Sequence, residues 1–185
     1  MQVHHFSPYS NSKNLGKELN RCAELVQDPD AWLCFRDMDT MFLTPDAGAI
    51  IEQNVKSHPE VSLFSCMTNR VGYLGQCYKS EISSNTDILH HYEIACDLAE
   101  HRRFEIKYDS SGISGLLMLI QKRTWTEIGG AKDGLLGVDR DIFRKVEAAG
   151  RTIAIMQGLY LFHFYRLNKN RKDTSHLTPC TPQLD

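Results

Sequence analysis

The chain has 185 residues and a mass of 21.1 kDa, which suits one domain able to hide about 70% of the surface its unfolded form exposes. Its 21 Lys plus Arg against 23 Asp plus Glu give a pI near 6.4, without the basic excess of a general nucleic-acid binder, so no nucleic-acid partner is expected. The best apolar run, Ile113 to Ile120, includes Ser114 and Gly115 and falls far short of the roughly 20 residues of a spanning helix.

In chain order, Val3 to Phe6 reads as a strand that exits at Pro8. Leu15, Leu19, Cys22, Ala23 and Val26 then form one stripe of an amphipathic helix, with Ser12 or Asn14 as its cap and Asp28-Pro29-Asp30 as its end. Ala31 to Phe35 reads as a buried strand with Asp37-Met38-Asp39 at or just past its carboxyl end. Thr44-Pro45 predicts a helix running to about Lys56, and Val61 to Cys66 a strand. Residues 67 to 86 lack periodicity and read as a long loop of the lid or binding type. A helix is expected from Asp87 to His101, with Ile88, His91, Tyr92, Ala95 and Leu98 on its inward side. A strand over Gly115 to Ile120, a short helix from Arg123 to Ile128 and the pair Gly129-Gly130 follow. Asp139 to Ala149 reads as a helix with Ile142, Phe143, Val146 and Ala149 inward and Gly150 after its end. Two strands, Thr152 to Met156 and Leu159 to Phe164, close a domain over 1–167, before a polar tail over 168–185.

Strands alternating with helices predict an α/β fold, a mostly parallel sheet with helices on both faces. Ligands of such sheets gather at the carboxyl ends of the strands. Six scattered cysteines without a C-x-x-C spacing predict reduced thiols in a cytoplasmic protein, and the N-terminus has neither the basic region nor the apolar stretch of a signal peptide. The position of Asp37 and Asp39 is therefore where chemistry is expected. Two carboxylates at i and i+2 repel unless a cation neutralises them, and hard oxygen ligands suit Mn²⁺ or Mg²⁺, which in turn bind phosphate oxygens. The competing reading is a solvated Asp pair in a turn.

Asn14-Leu15-Gly16-Lys17-Glu18-Leu19-Asn20, the apolar strand and Asp37-Met38-Asp39 resemble the N-x-G-x-x-x-N…D-x-D order of GT-A glycosyltransferases, particularly the family-2 type. Gly129-Gly130, then Gly137-Val138-Asp139-Arg140-Asp141, Lys145 and Gly150 are similar to that family's GGF…EDxDL…R…G stretch. Leu161-Phe162-His163 resembles its late metal-ligand histidine. Val138 stands where a Glu is usual, Lys145 replaces an Arg, and the first strand lies unusually close to the N-x-G helix, as in a trimmed GT-A domain.

The resemblance implies a Rossmann-like GT-A fold and a transferase using a UDP- or GDP-sugar donor and a saccharide or other hydroxyl acceptor. It implies metal held by Asp37, Asp39 and His163, with Asp37 also near the donor ribose or a metal-bound water. Pro8, Tyr9, Ser10, Asn14, Gly16 and Asn20 would contact the donor. Asp139 would be the general base, with Asp141 capping its helix or contacting the acceptor. Asn69, Arg70, Gln76 and Trp125 are candidates for the acceptor side or lid, with core packing the preferred reading of Trp125. Arg166, Lys169, Arg171 and Lys172 form a basic cluster, read as a solvated tail or a peripheral contact with an anionic surface. Asp37-Met38-Asp39-Thr40 also resembles the D-x-D-x-T of haloacid-dehalogenase-type phosphatases, with Asp37 as nucleophile and Asp139 and Asp141 holding Mg²⁺. A non-catalytic nucleotide-sugar-binding domain is the third expectation.

Overall fold

The computed structural model describes residues 2–109 and 112–164. The proposed tail over 168–185, the basic cluster at 166–172 and Cys180 lie outside the described residues.

Strands β1 (Val3–Phe6), β2 (Trp32–Arg36), β3 (Thr40–Phe42), β4 (Val61–Thr68), β5 (Ile106–Tyr108), β6 (Leu117–Gln121) and β7 (Thr152–His163) form one sheet among the described residues. The order is β1-β2-β6-β4-β7-β3, with β5 also paired to β7. The expected α/β layering is present, but the sheet is mixed. Only β1/β2 and β4/β7 are parallel, while β6 runs antiparallel to both β2 and β4, and β3 and β5 run antiparallel to β7. The cause is the route into β6. Before that strand the chain crosses the carboxyl-end rim, where the Leu116 carbonyl accepts from the Asp37 amide at 3.0 Å, so β6 enters from the rim and runs back down.

Helix α1 (Leu15–Glu24) forms as its stripe predicts: Leu19 and Ala23 are buried, and Asn14 caps it by accepting from the Lys17 amide at 3.0 Å. Helix α2 (Ala47–Ser57) starts later than Thr44-Pro45 suggests, with Asp46 as the flanking residue. In α3 (Ile88–His101) the inward residues are His91, Ala95, Leu98 and Ala99. Ile88 and Tyr92 are exposed, because the helix is rotated so that the Ala-rich side meets β7. Helices α4 (Lys122–Glu127) and α5 (Val138–Ala148) follow expectation, although Ala149 is exposed as the C-cap.

The strands alternate sides cleanly. Leu33, Phe35, Met118 and Ile120 pack under α1, α4 and α5, while Trp32, Cys34, Leu117 and Leu119 pack with Ile50 and Ile51 of α2. The two closing strands are one. Strand β7 runs unbroken through Gln157 to Leu159, where its register against β4 shifts between Cys66 and Met67, and the bulge continues the strand that sequence punctuation breaks. The cysteines at 22, 34, 66, 77 and 96 are free thiols, and burial pushes that of Cys34 up to about 12. No helix among the described residues is long and apolar enough to cross a membrane.

Candidate functional site

The end of β2 delivers Asp37 and Asp39 onto the carboxyl-end rim, and a strand too short to read from sequence fixes their partner. Strand β3 pairs Thr40 with His163 at the end of β7, and the Phe164 amide donates to the Asp39 carbonyl at 2.9 Å. The Thr40 hydroxyl closes the turn by donating to the Asp37 carbonyl at 2.6 Å. Ligand atoms of Asp37, Asp39 and His163 consequently lie within 4.8 Å of one another.

His163 is held on three sides. Its amide donates to Asn69 Oδ1 at 2.7 Å, Asn69 Nδ2 donates back to its carbonyl at 3.0 Å, and its ring Nδ1 meets the Arg70 carbonyl at 2.8 Å. A carbonyl only accepts, so Nδ1 carries a proton; Nε2 faces Asp39 Oδ1 at 3.5 Å, donating to it when the ring is protonated and carrying the lone pair when the ring is neutral. This is how ligating imidazoles are oriented. Burial depresses the His163 pKa, but the hydrogen bond and charge of Asp39, the Arg70 carbonyl and the Asp37 charge outweigh it and leave the net shift upward. Burial raises Asp37 to about 6. His163 opposes that shift, and the Asp39 and Asp139 carboxylates add to it. The donor set, two carboxylates and one oriented imidazole, fits Mn²⁺ or Mg²⁺ and matches the expected ligands.

Below this cluster opens a cleft of about 490 Å³. Its apolar lining comes from Leu15 and Leu19 of α1, Phe35 of β2, Met118 of β6, and Leu135, Leu136 and Val138. Asp139 lines the same cleft as Asp37 and Asp39, close enough for its charge to act on Asp37. Asp139 lies in the first turn of α5 and is not its N-cap, which is Gly137. Its Oδ2 accepts from the Gly115 amide at 3.1 Å, and its Oδ1 from the Arg140 amide at 2.8 Å. A Cβ at Gly115 would stand 2.8 Å from the Asp139 Cβ, so only glycine lets the rim approach so closely.

Other candidates go elsewhere. Asn14 Oδ1 accepts from the Gly134 amide at 2.9 Å as well as capping α1. The Gly16 amide donates to the Gly134 carbonyl at 3.1 Å, and a Cβ there would collide with the Lys132 carbonyl. Asn20 accepts from the Ala131 amide and donates to the Ala131 carbonyl, both at 2.9 Å. Asn14, Gly16 and Asn20 therefore seat the 129–137 loop, which carries Leu135 and Leu136 of the cleft wall, while Leu15 and Leu19 of the same stretch line the cleft. Asp141 joins that clamp. It pairs with Lys145 Nζ at 3.0 Å and accepts from the Lys132 amide at 3.3 Å, while Lys145 donates to the Gly130 carbonyl at 2.9 Å.

Pro8 lines the cleft, Tyr9 is exposed beside it, and the Ser10 hydroxyl accepts from the Asn14 amide at 2.9 Å. The expected lid is partly interior. Asn69, Arg70 and Gln76 are buried, Gln76 Nε2 bonds Ser65 Oγ at 2.7 Å, and its Oε1 accepts from the Ser114 amide at 2.6 Å. Trp125 is core, its ring 5.0 Å from that of Phe35. Asn69 thus acts by positioning His163, while Gln76 and Trp125 do not reach the cleft.

Arg36 was not singled out from the sequence. It lines the cleft, donates to the Thr40 carbonyl at 2.7 Å and lies over the Phe42 ring. Its place as the last residue of a buried strand, directly before the Asp pair, was the available signal. Compared with known protein families and with curated proteins, the sequence matches none.

Proposed function

We propose that the chain is a metal-dependent glycosyltransferase that moves a sugar from a UDP- or GDP-sugar to an acceptor hydroxyl. The observation that carries this reading is the convergence of Asp37, Asp39 and His163 on a cleft that Asp139 also lines. The order of motifs that resembles GT-A enzymes supports it. Asp37, Asp39 and His163 would hold Mn²⁺ or Mg²⁺. When bound, such an ion supplies positive charge for the diphosphate.

The remaining chemistry belongs to side chains of the cleft. Asp139 takes the proton of the acceptor hydroxyl. That oxygen bonds to the anomeric carbon, and the bond from this carbon to the diphosphate oxygen breaks with its electron pair leaving on the diphosphate. The Gly115 and Arg140 amides fix the Asp139 carboxylate before substrate arrives. The apolar wall of Leu15, Leu19 and Phe35 offers a flat base a surface on which to lie and keeps water from the reacting atoms.

The phosphatase-type alternative needs Asp139 and Asp141 to share an ion, whereas Asp141 is engaged with Lys145 and the Lys132 amide. Release of UDP or GDP from a panel of nucleotide-sugars, with Mn²⁺ and saccharide acceptors, tests the proposal. Asp139→Asn keeps size and one acceptor oxygen, so melting should change little while turnover falls about 10²-fold or more. Metal-dependent UDP or GDP binding without turnover of any donor would favour the non-catalytic binding domain. Turnover unchanged in Asp139→Asn would remove the base.

A further inference from the structure

Asp139 and Ser114 belong to two clefts at once. Beside the one under the metal cluster lies a second, of about 640 Å³, walled by Tyr73 and Phe143 and by Arg140 and Arg144 of α5, with Glu147 farther along the same helix. The two arginines are four residues apart, so their side chains share one helix face. Their lack of partners sets them apart. Arg21, Arg102, Arg103, Arg123 and Arg151 each pair with a carboxylate, and Arg36 bonds the Thr40 carbonyl. Arg140 and Arg144 have no side-chain hydrogen bond or ion pair among the described residues.

We propose that this second cleft is the acceptor subsite and that it recognises a phosphate group on the acceptor through Arg140 and Arg144. The acceptor role rests on the transferase reading, whereas phosphate binding by the cleft does not. Two adjacent guanidinium groups present paired N–H donors in the planar geometry that suits phosphate oxygens, and a phosphate monoester carries close to two negative charges to match them. Phe143 and the Tyr73 ring supply apolar wall for whatever group bears the phosphate, and the Tyr73 hydroxyl is engaged with Asp109 at 2.7 Å. Glu147, the other carboxylate of the cleft, follows Arg144 by three residues and repels an anion. It therefore confines the phosphate to the stretch between Arg140 and Arg144. A hydroxyl elsewhere on the same molecule then reaches Asp139, which lines both clefts.

The test uses phenyl phosphate, whose ring suits the aromatic wall, titrated calorimetrically into the full chain with EDTA present so that the metal cluster takes no part. Saturable binding is expected, weakened at least tenfold in the double variant Arg140→Gln/Arg144→Gln and tightened in Glu147→Gln. Titration of UDP and GDP with Mn²⁺ into the same double variant, expected unchanged, is the control for the fold and the first cleft. Co-sedimentation with phosphatidylcholine vesicles containing phosphatidic acid, against phosphatidylcholine alone, separates the two sources of phosphate. Arginine-dependent capture by the acidic vesicles assigns a lipid-borne phosphate, and its absence beside phenyl phosphate binding assigns a soluble one. No saturable phenyl phosphate binding, or equal binding by the double variant, overturns the proposal. Phenyl phosphate binding without any Mn²⁺-dependent nucleotide binding would sink the transferase reading and leave the phosphate site standing.

Discussion

The outer face of α1 and the rim at the end of β2 each carry polar residues in a short fixed spacing, and both read from sequence as parts of one donor site. Their fates differ. On α1, Asn14, Gly16 and Asn20 spend their hydrogen bonds and their free space on the 129–137 loop. On the rim, Asp37, Asp39 and His163 are packed together although two of them repel, and burial lifts Asp37 to about 6. A polar motif whose groups satisfy each other across the chain builds the site's walls. A motif that holds like charges close together marks the candidate ligand site.

The comparison can be broken at several points. The largest effect is expected at Gly16→Ala, where a Cβ must push the Lys132 carbonyl and with it the loop, costing about 3 kcal/mol or more. Thermal or urea unfolding measures it, and a change below about 1 kcal/mol would mean that the loop is not seated on α1. Asn20→Ala should cost about 2 kcal/mol, because it strips both bonds to Ala131, whose residue is buried. A donor-contact role would instead weaken nucleotide binding with stability unchanged.

On the rim side the sharper tool is pH. The Asp37 proton must leave before an ion enters, so Mn²⁺ affinity should fall below pH about 6, by up to about tenfold per unit. The protein without metal responds in the opposite sense. A folded-state pKa raised above the ordinary 3.8 gives Asp37 a stabilising contribution that is complete below that value and lost as pH rises through about 6. Flat metal affinity across this window would show that Asp37 stays outside the coordination sphere. The smallest effect belongs to Asp141→Asn. Its pair with Lys145 is partly exposed, so stability should drop by about 1 kcal/mol or less, with little change in turnover. A turnover loss matching that of Asp139→Asn would move the base to Asp141.

The sequence made the layered architecture and most long elements legible, because apolar spacing marks α1, α5, β2 and β6 directly. Strand direction was not legible. Alternation along Leu117 to Ile120 is the same whichever way the strand runs, and only the rim crossing at Ser114 to Leu116 reverses β6. Nor were β3 and β5, three residues each and only partly buried, too short to carry a period. That gap matters for the site, since β3 is what sets Asp39 beside His163. Asp37, Asp39, His163 and Asp139 could be singled out from the sequence, and the structure brings all four to one cleft. That Asn20 and Gln76 bond distant stretches of the chain was not legible, because a polar side chain looks the same in sequence whether its partner is a ligand or backbone, while the core reading of Trp125 holds.

The most direct measurement is a calorimetric titration of Mn²⁺ with UDP or GDP into the wild type, Asp39→Asn and Asn14→Ser, the last keeping a good cap for α1. Metal-dependent nucleotide binding in the wild type and Asn14→Ser, lost in Asp39→Asn with its melting intact, is the predicted result. Undiminished binding in Asp39→Asn, or binding lost only in Asn14→Ser, would contradict the assignment of the rim as the metal site and of α1 as its scaffold.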